Sequence, residues 1–104
     1  MLVAFSLAPS GGEGPEGSLH DAVAAAVRVV RDSGLPNRTD SMFTTIEGEW
    51  DEVFDVLKRA TEAVGQYGSR ISLVLKADIR PGRTGELTGK VERLEAALER
   101  QNEA

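Results

Sequence analysis

Cysteine is absent from the 104 residues, which excludes a disulfide frame, thiolate catalysis and any sulfur-ligated metal centre. Histidine is nearly absent too. The single copy, His20, has no histidine or cysteine neighbour, so a transition-metal site is not expected and the side chain reads as solvated. Basic charge is in short supply: 12 Lys and Arg against 17 Asp and Glu leave a net charge of −5, the wrong sign for a general nucleic-acid binder. No apolar run approaches the length of a membrane span. The opening Met1 to Ala8 lacks a basic n-region and is too short for a signal h-region, so the expectation is a cytoplasmic protein. No Ser-His-Asp order and no usefully spaced carboxylate pair is present, so no catalytic residue is assigned.

What remains is an ordinary globular composition, 40% apolar and 28% charged, at a length that suits a single domain over residues 1–104. Its most informative stretch is Thr44-Thr45-Ile46-Glu47-Gly48-Glu49-Trp50-Asp51-Glu52-Val53. The β-branched Thr45 and Ile46 favour a strand. Gly48 supplies a turn, and Glu49, Asp51 and Glu52 put negative charge where a helix dipole welcomes it. Trp50, Val53, Phe54, Leu57, Ala60 and Val64 then recur at helical spacing and are expected to face the core, Trp50 included.

The flanking segments complete a pattern. Leu2 to Ala8 reads as a first strand, fairly apolar on both faces. Ser18 to Ser33 reads as a helix with a Leu19, Val23, Val27, Val30 stripe, a Ser18/Asp21 capping box and a stop at Gly34 and Pro36. Asn37 to Ser41 is polar and suits an edge strand, followed by a strand over Met42 to Glu47. Arg70 to Ile79 alternates, with Ile71, Leu73, Leu75 and Ala77 on one face. Thr88 is expected to cap a last helix carrying Val91, Leu94 and Leu98, its charges solvated and its tail from Gln101 frayed. The order is strand, helix, strand, strand, helix, strand, helix. This is the α+β, ferredoxin-like βαββαβ sandwich with an added C-terminal helix.

Such a sheet carries helices on one side, so function is sought on the other. Alternation sends Phe43, Thr45 and Glu47 to the open face, joined by Ala4 and Ser6 from the first strand and by Ser72, Val74 and Lys76 from the last. Glu47 there reads either as a ligand carboxylate or as a helix-start or interface charge. Phe43 reads either as a ring stacker or as part of a dimer contact. Asp78 with Lys76 and Arg80 reads as an ion-pair cluster. The segment Gly12 to Gly17 matches G-x-G-x-x-G, but Glu13 and Glu16 would repel a pyrophosphate, and the chain is too short for a dinucleotide fold. A plain loop fits it better.

Ser33-Gly34-Leu35, Met42, Thr44 and the run Ile46 to Val53, with Lys76, Asp78, Arg80 and Gly89 to Glu92, closely resemble the small thiamine-binding protein family, the YkoF-like group of ferredoxin-like domains. The resemblance spans nearly the whole chain. It implies a non-catalytic protein without cofactor or metal that binds thiamine or its hydroxymethylpyrimidine moiety near subunit contacts and assembles as a homodimer or homotetramer. An aminopyrimidine offers amine donors to Glu47 and ring acceptors to the hydroxyls of Ser6, Thr45 and Ser72, and Phe43 or Trp50 offers a wall for the ring. The chain departs from the family where Ala4 replaces a common glutamate and Phe43 a small residue, and where Leu73 and Val74 stand at positions often held by threonine or arginine. Residues 37–41 also lack the family's usual aromatic and proline. These changes make the pocket less polar. The alternative expectation is an assembly module whose open face only buries itself against another subunit.

Overall fold

The computed structural model describes residues 1–11 and 18–103, the side chain of Ser18 excepted. The glycine-rich segment 12–17 and the expected Ser18 capping box therefore lie outside the described residues. The elements are β1 (Leu2–Ser10), α1 (Ser18–Asp32), β2 (Asn37–Thr39), β3 (Thr44–Glu47), α2 (Trp50–Val64), β4 (Arg70–Asp78) and α3 (Glu86–Asn102), with a short 3-10 turn at Gly65–Tyr67. The sheet order is β2-β3-β1-β4, and every neighbouring pair is antiparallel. This is the ferredoxin-like α+β sandwich with one helix added.

Register settles which side chains share a face. Val3 pairs with Ile46 and Ala77, and Phe5 pairs with Thr44 and Leu75, so these residues look toward the helices. Ala4 pairs with Thr45 and Lys76, and Ser6 with Val74, which puts them on the open face as expected. Beyond Phe5, β1 pairs with β4 alone. One side of the strand is then free of a ladder, a place where Pro9 is tolerated.

The core joins Val3, Phe5 and Leu7 of β1 and Ile46 of β3 to Ala22, Ala26 and Val30 of α1 and Val53, Val56, Leu57, Ala60 and Val64 of α2. Val30 of the expected α1 stripe is fully buried, but the first half of that stripe is corrected. Small alanines at Ala22 and Ala26 let α1 approach its neighbours closely, and the bulkier Leu19 and Val23 are turned outward, Leu19 being 54% exposed. Trp50 is a second correction. It stands in the first turn of α2, before the helix reaches the core, and is 55% exposed with its ring against Phe54 at a centroid separation of 4.9 Å.

Two smaller differences have local causes. Strand β3 starts at Thr44 because the Asp40 N–H donates to the Phe43 carbonyl at 2.9 Å, closing a turn that leaves Met42 exposed and takes Phe43 out of the strand. Gly48 has no positive φ, unlike Gly34, Gly82 and Gly85. It is needed for space instead, since an added Cβ would lie 3.2 Å from Val53 and 3.3 Å from Leu35. Its carbonyl accepts a bond from the Met1 amino group at 2.9 Å.

Candidate functional site: the open sheet face beneath α3

On the open face, Leu2 lies between Glu47 and Asp78, its register partners on β3 and β4. Helix α3 lands on this row. Its N-cap is Gly85, with φ 70°, and no side chain of its own segment caps it, in place of the expected Thr88. The cap comes from across the fold: the backbone N–H groups of Glu86 and Leu87 donate to the Glu47 carboxylate oxygens at 2.8 and 3.2 Å. A negative group at a helix N-terminus satisfies orphan donors and meets the positive end of the dipole. Glu47 is 7% exposed, so these bonds form away from bulk water.

Two further contacts hold the first turns of the helix. Lys90 donates to Asp78, and Arg93 donates to Glu86 at 2.6 Å, with Arg83 3.8 Å from the same carboxylate. The bond from Lys90, aided by the charges of Lys90, Arg80 and Lys76, holds Asp78 below its ordinary value against a smaller opposing effect of burial. Arg93 does the same for Glu86, with help from Arg83 and Arg80. Both carboxyls are depressed, so the stability they add is present above their ordinary values of 3.8 and 4.5 and is lost as pH falls through the folded values. Acidification to below the ordinary Asp78 value of 3.8 is therefore expected to remove the Lys90–Asp78 pairing and to fray the first turns of α3 before the core loosens. Amide resonances of Glu86 to Leu94 moving to coil positions ahead of those of β1 would register it. Simultaneous loss would show that these ion pairs add nothing to the hold that the Glu47 carboxylate has on α3.

Next to this row, between the sheet and α3, lies a cavity of about 700 Å³. Its floor and side are Leu2, Arg38 and Thr45, and its roof is Leu87, Val91 and Leu94. Lining of this kind, mostly apolar with a hydroxyl and charged groups at the margin, can enclose a flat ring and orient it. A second cavity, of about 530 Å³, opens at the other end of the sheet between α1 and the β2–β3 turn, where Ser6 and Phe43 meet Leu19, His20, Val23 and Asp40.

The five site residues are thus distributed. Thr45 lines the cavity beneath α3, and Ser6 and Phe43 line the neighbouring one. Glu47 caps α3, and Ser72 lies exposed opposite Ala8 on β4. Phe43 does not reach the open face through strand alternation, because it precedes β3. The roof residues Leu87, Val91 and Leu94, and Arg38 at the side, were not among the expected site residues. The α3 stripe was visible in the sequence, but nothing local said which surface it would face. Among the described residues no group of three or more His, Cys, Asp or Glu side chains could hold a metal ion, and no helix is long and apolar enough to cross a membrane.

Comparison with known proteins places this geometry in context. The profile of a family described as thiamine-binding protein matches residues 3–95. UPF0045 protein Mb1933 of Mycobacterium bovis is 53% identical over 100 residues, covering 94% of each chain. Among solved structures, a domain of unknown function, DUF77, from Bacillus cereus superposes with a TM-score of 0.71 at 31% identity over 82% of each chain. A Thermotoga maritima protein provisionally described as a thiamine biosynthesis/salvage protein gives a TM-score of 0.72 at 26% identity, over 89% of this chain and 96% of its own.

Proposed function

The chain belongs to the thiamine-binding protein family, and from that premise we propose that it is a cytoplasmic, non-catalytic binder of thiamine or its hydroxymethylpyrimidine moiety, working as a homo-oligomer. The ligand sits on the open sheet face, in the cavity beneath α3. The observation that carries this reading is the cavity itself: about 700 Å³ falls within the range of small-molecule sites, and its lining suits an aminopyrimidine. The ring lies against Leu87 and Val91. The Thr45 hydroxyl answers a ring nitrogen or the amine, and the planar Arg38 guanidinium flanks the ring. Asp40, which also lines this cavity, places a carboxylate near a cationic thiazolium. Ser6 and Phe43 mark the neighbouring cavity as the other place where a ring would be held, and Ser72 lies on the same sheet face.

A second reading has its own observation. Val74, Val91, Leu94 and Leu98 are all exposed, which is what an assembly module with a self-burying open face would show in a single chain. Calorimetric titration with thiamine and with hydroxymethylpyrimidine, alongside mass by light scattering, separates the two. Saturable uptake in the micromolar range, about −8 kcal/mol, is the expected result. A stable oligomer that gives no heat with either compound would leave assembly as the function.

A further inference from the structure

We infer that Glu47 is a positioning residue for this site: its carboxylate fixes the N-terminus of α3, thereby sets the roof of the cavity, and leaves the ligand's amine to other groups. The inference rests on the proposed ligand site for the meaning of that roof and on the structure for the anchor.

The chemistry of the anchor is specific. Each carboxylate oxygen of Glu47 accepts one backbone N–H from a segment 39 or 40 residues away, and the group is almost fully enclosed. Hydrogen bonds to an ionised acceptor are stronger than neutral ones, and enclosure strengthens them further. The other tethers of α3 to the sheet are weaker by the same logic. Lys90 is 53% exposed where it meets Asp78, and an exposed ion pair contributes little. The Arg93 and Arg83 bonds to Glu86 lie within α3 and the loop before it, so they neutralise a carboxylate beside Glu47 without tying the helix to the sheet.

Geometry links the anchor to the roof. Leu87 supplies an N–H to Glu47 and also lines the cavity, and Val91 and Leu94 follow it on the same helical face. The hinge before the helix contains Gly82 and Gly85, with φ of 80° and 70°. Backbone of that kind does not by itself dictate the direction in which α3 leaves the loop. The Glu47 carboxylate does so. An amine competing for it would have to displace an N–H that helps to hold the ligand's own roof in place.

The test couples a substitution to a change in the ligand. Glu47→Gln keeps size and shape but loses the charge and one acceptor, and Glu47→Asp keeps the charge but falls short of α3. Either is titrated with thiamine and with a thiamine analogue carrying hydrogen in place of the exocyclic amino group. Amide hydrogen exchange at Glu86 and Leu87 is followed in ligand-free protein. The expected result is that both ligands weaken by the same factor, about tenfold, while the two amides exchange about tenfold faster or more. Weakening confined to the ligand with the amine would overturn the inference, because Glu47 would then be the amine's direct acceptor. Unchanged exchange would overturn it as well, since α3 would be held without Glu47. Wild-type protein that takes up neither ligand sinks the proposed function instead, and exchange then still decides whether Glu47 is the anchor.

Discussion

Thr45→Trp is expected to abolish most thiamine uptake, weakening it by about 100-fold, while the fold survives. Thr45 stands between Ala4 and Arg38 on the open face and lines the floor of the cavity. An indole there projects into the space the ring would fill, and overpacking a formed site typically costs about 1–3 kcal/mol, of which ~2.7 corresponds to 100-fold. The backbone should tolerate the change, because an aromatic residue suits a strand and neighbouring Ala4 leaves room beside it. Calorimetry on the variant checks affinity, and a melting curve close to that of the wild type checks folding. Val23→Trp is the companion measurement, since Val23 lines the neighbouring cavity with Ser6 and Phe43. Loss of uptake in that variant, with Thr45→Trp binding normally, would move the ligand to the α1 side.

The parts of this fold that could be read from sequence are those with a short, local cause. The faces of β1 and β4 followed from alternation, and the observed register puts Ser6 beside Val74 and Ala4 beside Lys76, as counting by twos requires. The family resemblance is borne out over residues 3–95. Helix faces were harder. In α1 Val30 is buried as its spacing predicts, but the small Ala22 and Ala26 complete the core face, because space between layers decides the contact, whereas hydrophobicity alone selects Leu19 and Val23. Trp50 fits the α2 stripe by spacing yet lies too near the helix start to reach the core. The cavity roof was the least legible feature. It depends on a bond donated to Glu47 by a helix start 39 residues later, preceded by glycines that permit many directions. Periodicity within α3 identifies an apolar stripe but not what lies opposite it.

That stripe gives the second large expectation: Leu94→Glu combined with Leu98→Glu should turn the proposed homo-oligomer into a monomer. A compact protein of this mass exposes about 5,700 Å², and a compact chain of this length has a radius of gyration of about 13 Å. This chain exposes 7208 Å² and has a radius of gyration of 16.2 Å, with a longest extent of 57 Å. The excess, roughly 1,500 Å², is ample for the ~800 Å² that each partner contributes to a standard interface. Leu94 and Leu98 are 57% and 45% exposed on α3. Burying two carboxylates there without partners is costly, so association should fail even at high protein concentration. The free chain should keep its secondary structure, because neither leucine belongs to the core. Light scattering reads the mass and far-UV circular dichroism the fold. An unchanged mass would shift the interface to β4, an edge strand whose Leu73 and Leu75 are also exposed and whose outer ladder has no partner among the described residues. If the monomer still takes up thiamine, one chain suffices for the site. Because Leu94 itself lines the cavity and Leu98 does not, uptake is read in the single variant Leu98→Glu: uptake lost together with the partner there means that a second chain closes the half-open roof.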